Sequence, residues 1–377
     1  MNFEFSPEQV QLREEVRRFL AAECPPAKAR QAIEAGGTHD PQLWDKLAQM
    51  GLIGAAIPED MGGVGLGYLE LCVIAEELGR TVAPVPFAPS VYLGAEMIRE
   101  LGTAGQQARW LPALATGEAI AAFALAERPG PNRPEAVAAT LAGGRLNGTK
   151  IAVRGGDCAD VAVVAARLDG QVVPCLVDLA QDGVTRTPVT TLDPGLGHAT
   201  LSFRDVAAEP LATGAAGWAA IRRALDKAAV LMAFEQLGAA ERTLDMARDH
   251  ALDRIAFGRP VGSFQAVKHA LADLYTAVVL ARSNCWFGAW ALSADAPELA
   301  EAAAAAWLSA CEAARVCAKE SLQLHGGMGF TWEADSHLYY RRANLLATAL
   351  GTMAEWEDQL VDAVVAKQES AGREKAA

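Results

Sequence analysis

The chain has 377 residues, 51% hydrophobic and 21% charged. This is a globular composition, long enough for two or three domains or one large multilayer unit. A formal net charge of −13 argues against a nucleic-acid partner, which would call for a basic face, although local arginines can still receive an anionic cofactor.

The chain opens MNFEFSPEQVQLREEVRRFL, charged and amphipathic, without the basic-then-apolar order of a secretory signal. Ser6 is placed to cap a helix, with Pro7 at its first position and Glu8 in its first turn. Val10, Leu12, Val16 and Leu20 supply an apolar stripe at helical spacing. A second helix is expected from Pro41 to Met50, then the glycine-rich loop IPEDMGGVGLG, then a helix from Leu69 to Leu78 ended by Gly79. Residues 1–117 therefore read as a helical domain.

From 118 to 210 the texture changes to short apolar runs separated by Gly and Asp, such as AIAAFALAE, DVAVVAAR and QVVPCLVDL. These are strand signals. Asn147-Gly148 has the composition of a hairpin turn, and an antiparallel β-barrel or sandwich is expected. Residues 215–367 return to alanine-rich helices, expected near 216–252, 262–293, 298–324 and 335–366, as in a four-helix bundle that also serves an oligomer interface. The tail 368–377 is expected to fray. No apolar run reaches the ~18 residues of a membrane span, so no membrane partner is expected. The seven scattered cysteines (Cys24, Cys72, Cys158, Cys175, Cys285, Cys311, Cys317) include no CxxC and read as reduced thiols in a cytoplasm. No metal-spaced Cys/His cluster occurs, so no metal is expected.

The stretch DRIAFGRPVGSFQAVKHALAD, Asp253 to Asp273, places Arg254 where one long helix ends and the next begins. There it is either a surface arginine at a turn or a bidentate fork for a phosphate. QLHGGMGF, from Gln323, is a glycine cluster that lets backbone N–H groups approach a phosphate, or caps a helix.

Together these two stretches and PEDMGGVGLGYLELCVIAEELGR resemble the acyl-CoA dehydrogenase family: RxxFG…FQ, QxxGGxG and P-E-x-x-G-G-x-G…E-E-x-G stand in the family's order. The resemblance covers nearly the whole chain and agrees with the helix–β–helix plan. It implies an N-terminal helical domain, a β-barrel and a C-terminal four-helix bundle, packed as a tetramer. The implied reaction is FAD-dependent α,β-desaturation of an acyl-CoA, with an electron-transferring flavoprotein as acceptor. In the family, FAD lies across a subunit interface. The matching positions for the neighbour's diphosphate and adenine end are Arg254, Phe257, Gln265, Gln323, Gly326 and Gly327.

Elsewhere the chain departs from the pattern. Where L-T-E-P-x-A-G-S-D is usual it reads Leu125-Ala126-Glu127-Arg128-Pro129-Gly130-Pro131, with Ala126 at the threonine. Where K-x-W-I-T-N-G is usual, Ala152 replaces the tryptophan and Arg154 the threonine. The catalytic glutamate of I-Y-E-G-T falls on Leu350, and the alternative position on the first C-terminal helix falls on Ala228. Asp226 lies on another helix face, and Glu235 and Glu333 read as packing or surface carboxylates. Losses in the ring-holding half and retention in the neighbour's half are what a subunit of a heteromeric α2β2 enzyme would show. A self-sufficient homotetramer with an atypical base, and a scaffold without chemistry, are the alternatives.

Overall fold

The computed structural model describes residues 6–36, 38–211 and 216–376, with side chains described as far as residue 367. The first helices are α1 (Pro7–Glu23), α2 (Pro26–Glu34), α3 (Pro41–Gln49), α4 (Tyr68–Thr81), α5 (Glu96–Leu101) and α6 (Ala104–Ala115). A buried π-helical stretch, Ala88–Ala95, leads into α5. The strands follow as β1 (Ala121–Ala124), β2 (Thr140–Ala142), β3 (Arg145–Arg154), β4 (Val161–Leu168), β5 (Gln171–Asp178), β6 (Val184–Pro188), β7 (His198–Ala207) and β8 (Glu209–Pro210). Then come α7 (Ala216–Asp253), a ribbon of β9 (Ile255–Ala256) and β10 (Arg259–Pro260), and α8 (Gln265–Ser293), α9 (Leu299–Leu324), α10 (Ser336–Leu346) and α11 (Met353–Ala376).

Two compact units cut across this chain order. One gathers α1, α4, α7 from Ala229 onward and everything after it; the other gathers α2, α3, α5, α6, strands β1–β8 and α7 up to Ala228.

In the first unit, Ser6 caps α1 as its sequence predicts. Its hydroxyl accepts the Gln9 N–H at 3.3 Å, and the Gln9 amide oxygen accepts the Ser6 N–H at 3.0 Å. Helix α4 meets α7 at two glycines: a Cβ on Gly79 would overlap the carbonyl of Glu235, and one on Gly238 the carbonyl of Glu76. Charge then closes the contact. Arg17 donates to both oxygens of Glu77 at 2.9 and 2.6 Å, Arg282 donates to Glu76 at 2.9 Å, and Arg80 reaches Glu241 at 3.1 Å. Glu76 and Glu77 are each 1% exposed, a burial that carboxylates tolerate when paired. Burial opposes the Arg282 cation, but Glu76 and Glu241 outweigh it and raise its pKa. The E-E-x-G segment is thus a helix-crossing device.

The helix expected over 335–366 is two helices. Residues 347–352 turn between α10 and α11, with Gly351 at φ 114°. Thr352 and Glu355 form the capping box that starts α11: Thr352 N–H donates to Glu355 Oε2 at 2.7 Å, and the Thr352 hydroxyl accepts the Glu355 N–H at 3.3 Å. Helical backbone then continues through residues 368–376, the stretch expected to fray, while Ala377 lies outside the described residues.

In the second unit, eight strands pair in the order β6-β7-β3-β2-β4-β5-β8, with β1 also on β4. The sheet is mixed rather than all antiparallel, because β1 and β2 both run parallel to β4. Six consecutive residues of β4 are buried, the signature of a strand covered on both faces.

The hairpin turn falls at Gly143-Gly144, not at Asn147-Gly148. Ala142 pairs with Arg145, and both glycines have positive φ, 56° and 74°, the backbone of a type I′ turn. Asn147-Gly148 instead lies inside β3 at a register shift against β7, where the Asn147 side chain accepts the Asp205 N–H at 2.9 Å. Lys150 of β3 is wholly buried; its Nζ donates to Leu125 O at 3.0 Å and to Glu127 at 2.6 Å. Glu127 also accepts the N–H groups of Ala138 and Ala139. Burial opposes its charge, yet Lys150 and these amides prevail and hold its pKa low.

Candidate cofactor-binding site

Helix α7 ends at Asp253, and the Arg254 N–H still donates to His250 O at 2.9 Å. The ribbon that follows turns tightly at Phe257-Gly258, with φ values of 53° and 77°. Phe257 stands at this tip, 94% exposed, its ring edge-on to Phe264 at 6.2 Å. The Arg259 guanidinium lies over Phe264 at 4.1 Å, a cation–π contact that stiffens the ribbon base. Gln265 is the first residue of α8 and is exposed. The connection between α7 and α8 is therefore a two-residue hairpin followed by a short 3-10 turn, Val261–Ser263.

At the end of α9, Gln323 is exposed and the chain enters a 3-10 turn at Gly326–Phe330. Gly326 has φ 63°, and a Cβ at either Gly326 or Gly327 would meet nothing within 4 Å. The two segments are joined by a contact that sequence reasoning missed. His250, four residues before Arg254, stacks on His325, two after Gln323, with ring centroids 4.3 Å apart. This brings the corner and the glycine turn to one surface. It offers a guanidinium, side-chain amides and the backbone of an open glycine turn, the kind of donors that an anionic diphosphate requires. The only signal in the sequence was the spacing, one helical turn from Arg254.

The second unit holds the positions where a flavin ring would be expected. Ile151 N–H donates to Ala126 O at 2.8 Å, so the segments of Ala126 and Ala152 lie side by side. Ala152 has φ 48° at a register shift of β3 against β7. Neither alanine supplies a stacking face or a hydroxyl. Beside them Arg154 pairs in register with His198, which is buried. Burial, then the Arg154 charge, lowers the His198 pKa. The residues present thus fit the diphosphate end of a dinucleotide but not its ring.

The acid positions are apolar. Leu350 is 5% exposed in the turn between α10 and α11, and Ala228 is fully buried. Asp226 pairs with Arg222 at 3.3 Å, Glu235 is buried, and Glu333 is exposed. Next to Ala228, the buried Lys227 donates to Glu96 at 3.0 Å and also to Glu100.

A crevice of about 910 Å³ opens among α1, α4, α7 and α8, lined by Arg17, Glu76, Arg80, Glu241 and Arg282. It includes none of the candidate cofactor residues. Among the described residues, no three His, Cys, Asp or Glu side chains gather as a metal site, and no helix is long and apolar enough to cross a membrane. No disulfide joins any of the seven cysteines.

Residues 6–118 match the family model of the acyl-CoA dehydrogenase N-terminal domain, and residues 215–361 that of the C-terminal domain. The chain is 36% identical over 351 residues to the acyl-CoA dehydrogenase IpdE2 of Mycobacterium tuberculosis, covering 93% of this chain and 95% of that one. Among solved structures it resembles a variant of the Tcur3481–Tcur3483 steroid ACAD, with TM-score 0.88, 32% identity, and 96% and 99% of the two chains covered. It also resembles the ChsE4–ChsE5 complex of Mycobacterium tuberculosis, with TM-score 0.89, 29% identity, and 97% and 99% covered.

Proposed function

The chain belongs to the acyl-CoA dehydrogenase family, and from that premise we propose that it is one subunit of a heteromeric FAD-dependent acyl-CoA dehydrogenase. In this reading it completes the cofactor site of an unlike partner chain. One observation carries the reading. Arg254, Gln323 and the Gly326-Gly327 turn are exposed on a surface joined by one ring stack, whereas the ring and base positions are Ala126, Ala152, Leu350 and Ala228.

When bound, FAD accepts the β-hydrogen of the acyl-CoA with its electron pair. The α-proton must pass to a carboxylate, which neither Leu350 nor Ala228 can provide, so the partner provides it. Arg254 offers its planar fork to the diphosphate, Gln265 and Gln323 their amides, and Gly326 and Gly327 their backbone N–H groups. Exposed Phe257 inserts against the partner. Likeness to a steroid ACAD and to a two-chain complex supports a bulky, ring-bearing acyl-CoA and an assembly of two chain types; in this reading the assembly is a tetramer and, as the family resemblance implies, the electrons pass to an electron-transferring flavoprotein.

The test is purification of the chain alone and co-expressed with an acyl-CoA dehydrogenase-like partner. The flavin spectrum is followed as acyl-CoA substrates are added. The expected result is a colourless, inactive chain alone and a yellow complex that bleaches with a ring-bearing acyl-CoA. A yellow chain that bleaches by itself would overturn the reading.

A further inference from the structure

We propose that His250 and His325 are positioning residues that couple proton uptake to diphosphate binding at the surface of Arg254 and Gln323. The inference rests on the cofactor reading above and deepens it.

The geometry comes first. The two imidazoles stack at 4.3 Å with their planes 29° apart. They join the last turn of α7 to the end of α9. His325 Nδ1 lies 2.7 Å from Ser321 O. A carbonyl oxygen only accepts, so Nδ1 carries the hydrogen and the ring is held one residue before Gly326. His250 shares a helix face with Arg254, whose N–H donates to the His250 carbonyl. The stack therefore ties the end of α7 that carries Arg254 to the glycine turn.

The charges follow. The groups facing His250 are the His325 ring on α9 and Arg254 and Asp253 at the end of α7. Burial, then the His325 ring and the Arg254 cation, hold the His250 pKa below its usual value, with Asp253 opposing. A diphosphate arriving at Arg254 reverses that balance, because a nearby anion favours the imidazolium. Binding then takes up protons, and by linkage affinity rises as pH falls, by up to about tenfold per pH unit for each proton coupled. With the ligand in place the charge gained by His250 lies beside the diphosphate, and the stacked His325 ring holds that imidazole where it can act.

The experiment uses the full chain and ADP-ribose, which carries the adenine and the diester diphosphate of the dinucleotide and lacks the terminal phosphate of ADP, which would itself titrate at about pH 6. Calorimetric titrations near pH 6, 7 and 8, in buffers of different ionisation enthalpy, count the protons taken up. The expected result is net proton uptake and an affinity several-fold higher at the acid end. The double variant His250→Phe, His325→Phe keeps two stacked rings. It should bind ADP-ribose with no uptake and a flat pH profile, while Arg254→Ala should weaken binding about tenfold to a hundredfold. ADP-ribose binding by the unaltered chain without proton uptake, or uptake that survives in the double Phe variant, would overturn the coupling and leave the cofactor surface standing. No ADP-ribose binding at any pH would remove both.

Discussion

The indole N–H of Trp356 donates to the carbonyl of Leu350 across 3.3 Å, with both residues buried. The turn between α10 and α11 is therefore pinned from below, by a tryptophan that also packs on Trp307 at 6.4 Å. A catalytic carboxylate at Leu350 would have to enter this apolar packing, and that gives the first prediction. Leu350→Glu should not create dehydrogenase activity in the isolated chain, and should cost about 3 kcal/mol at neutral pH. Burial raises a carboxyl pKa, so this penalty should shrink as pH falls and the group becomes neutral. Urea unfolding at two pH values, with a flavin-bleaching assay, checks both parts. Activity in the variant would mean that the flavin ring is held despite Ala126 and Ala152.

Arg254 is exposed at the end of α7. Arg254→Ala should leave unfolding within about 0.5 kcal/mol of the parent. The reconstituted complex should bind FAD tenfold to a hundredfold more weakly, roughly what a charge-assisted hydrogen bond contributes. Arg254→Lys should recover only part, since an ammonium lacks the planar fork. Flavin retention on gel filtration is the measurement.

Two glycines should respond in opposite ways. Gly79→Ala drives a methyl group into the Glu235 carbonyl, backbone against backbone, and should cost about 3 kcal/mol. Gly326→Ala meets open space but must hold φ near 63°, a strain of about 1 kcal/mol. The first should lower the melting temperature sharply with little specific effect on cofactor. The second should barely lower it while weakening ADP-ribose binding.

Lys150 is fully buried against Glu127. Lys150→Met leaves that carboxylate with only two backbone donors and should cost about 3 kcal/mol. The double variant with Glu127→Leu should regain part of the loss, giving a clear coupling in a double-mutant cycle.

Acid sensitivity follows from two depressed pKa values in the second unit. Glu127 is held below 4.5, so the unfolded chain binds the proton more readily; the stability it contributes is present above about pH 4.5 and is lost as pH falls through its folded pKa. His198 is held below 6.5 by burial, so it too binds a proton more readily when unfolded, and stability should begin to fall below about pH 6.5. His198→Gln should flatten the slope in the higher window and leave the lower one. Unfolding midpoints measured from about pH 7 down to about pH 2 separate the two.

The sequence by itself determined the helix–β–helix order and most helix ends, and it singled out the residues from which the proposed diphosphate surface is built. These depend on short-range signals: the Ser6 cap, apolar periodicity, and glycines adjoining fixed polar residues. It also determined the apolar character of positions 228 and 350, which is a matter of residue identity. The Thr352–Glu355 capping box that splits the last helix was legible too, but the alanine- and leucine-rich run before it concealed the break.

Only the tertiary structure decided the rest. The Asn147-Gly148 turn yielded to Gly143-Gly144, because strand pairing with β7 sets where β3 may bend. The E-E-x-G segment acquired its meaning only where α4 crosses α7 too closely for any Cβ. His250 and His325, 75 residues apart in the chain, share no local pattern. Their contact exists because α7 and α9 end side by side, and ring stacking is a short-range force between residues that only the packing of those helices can bring together.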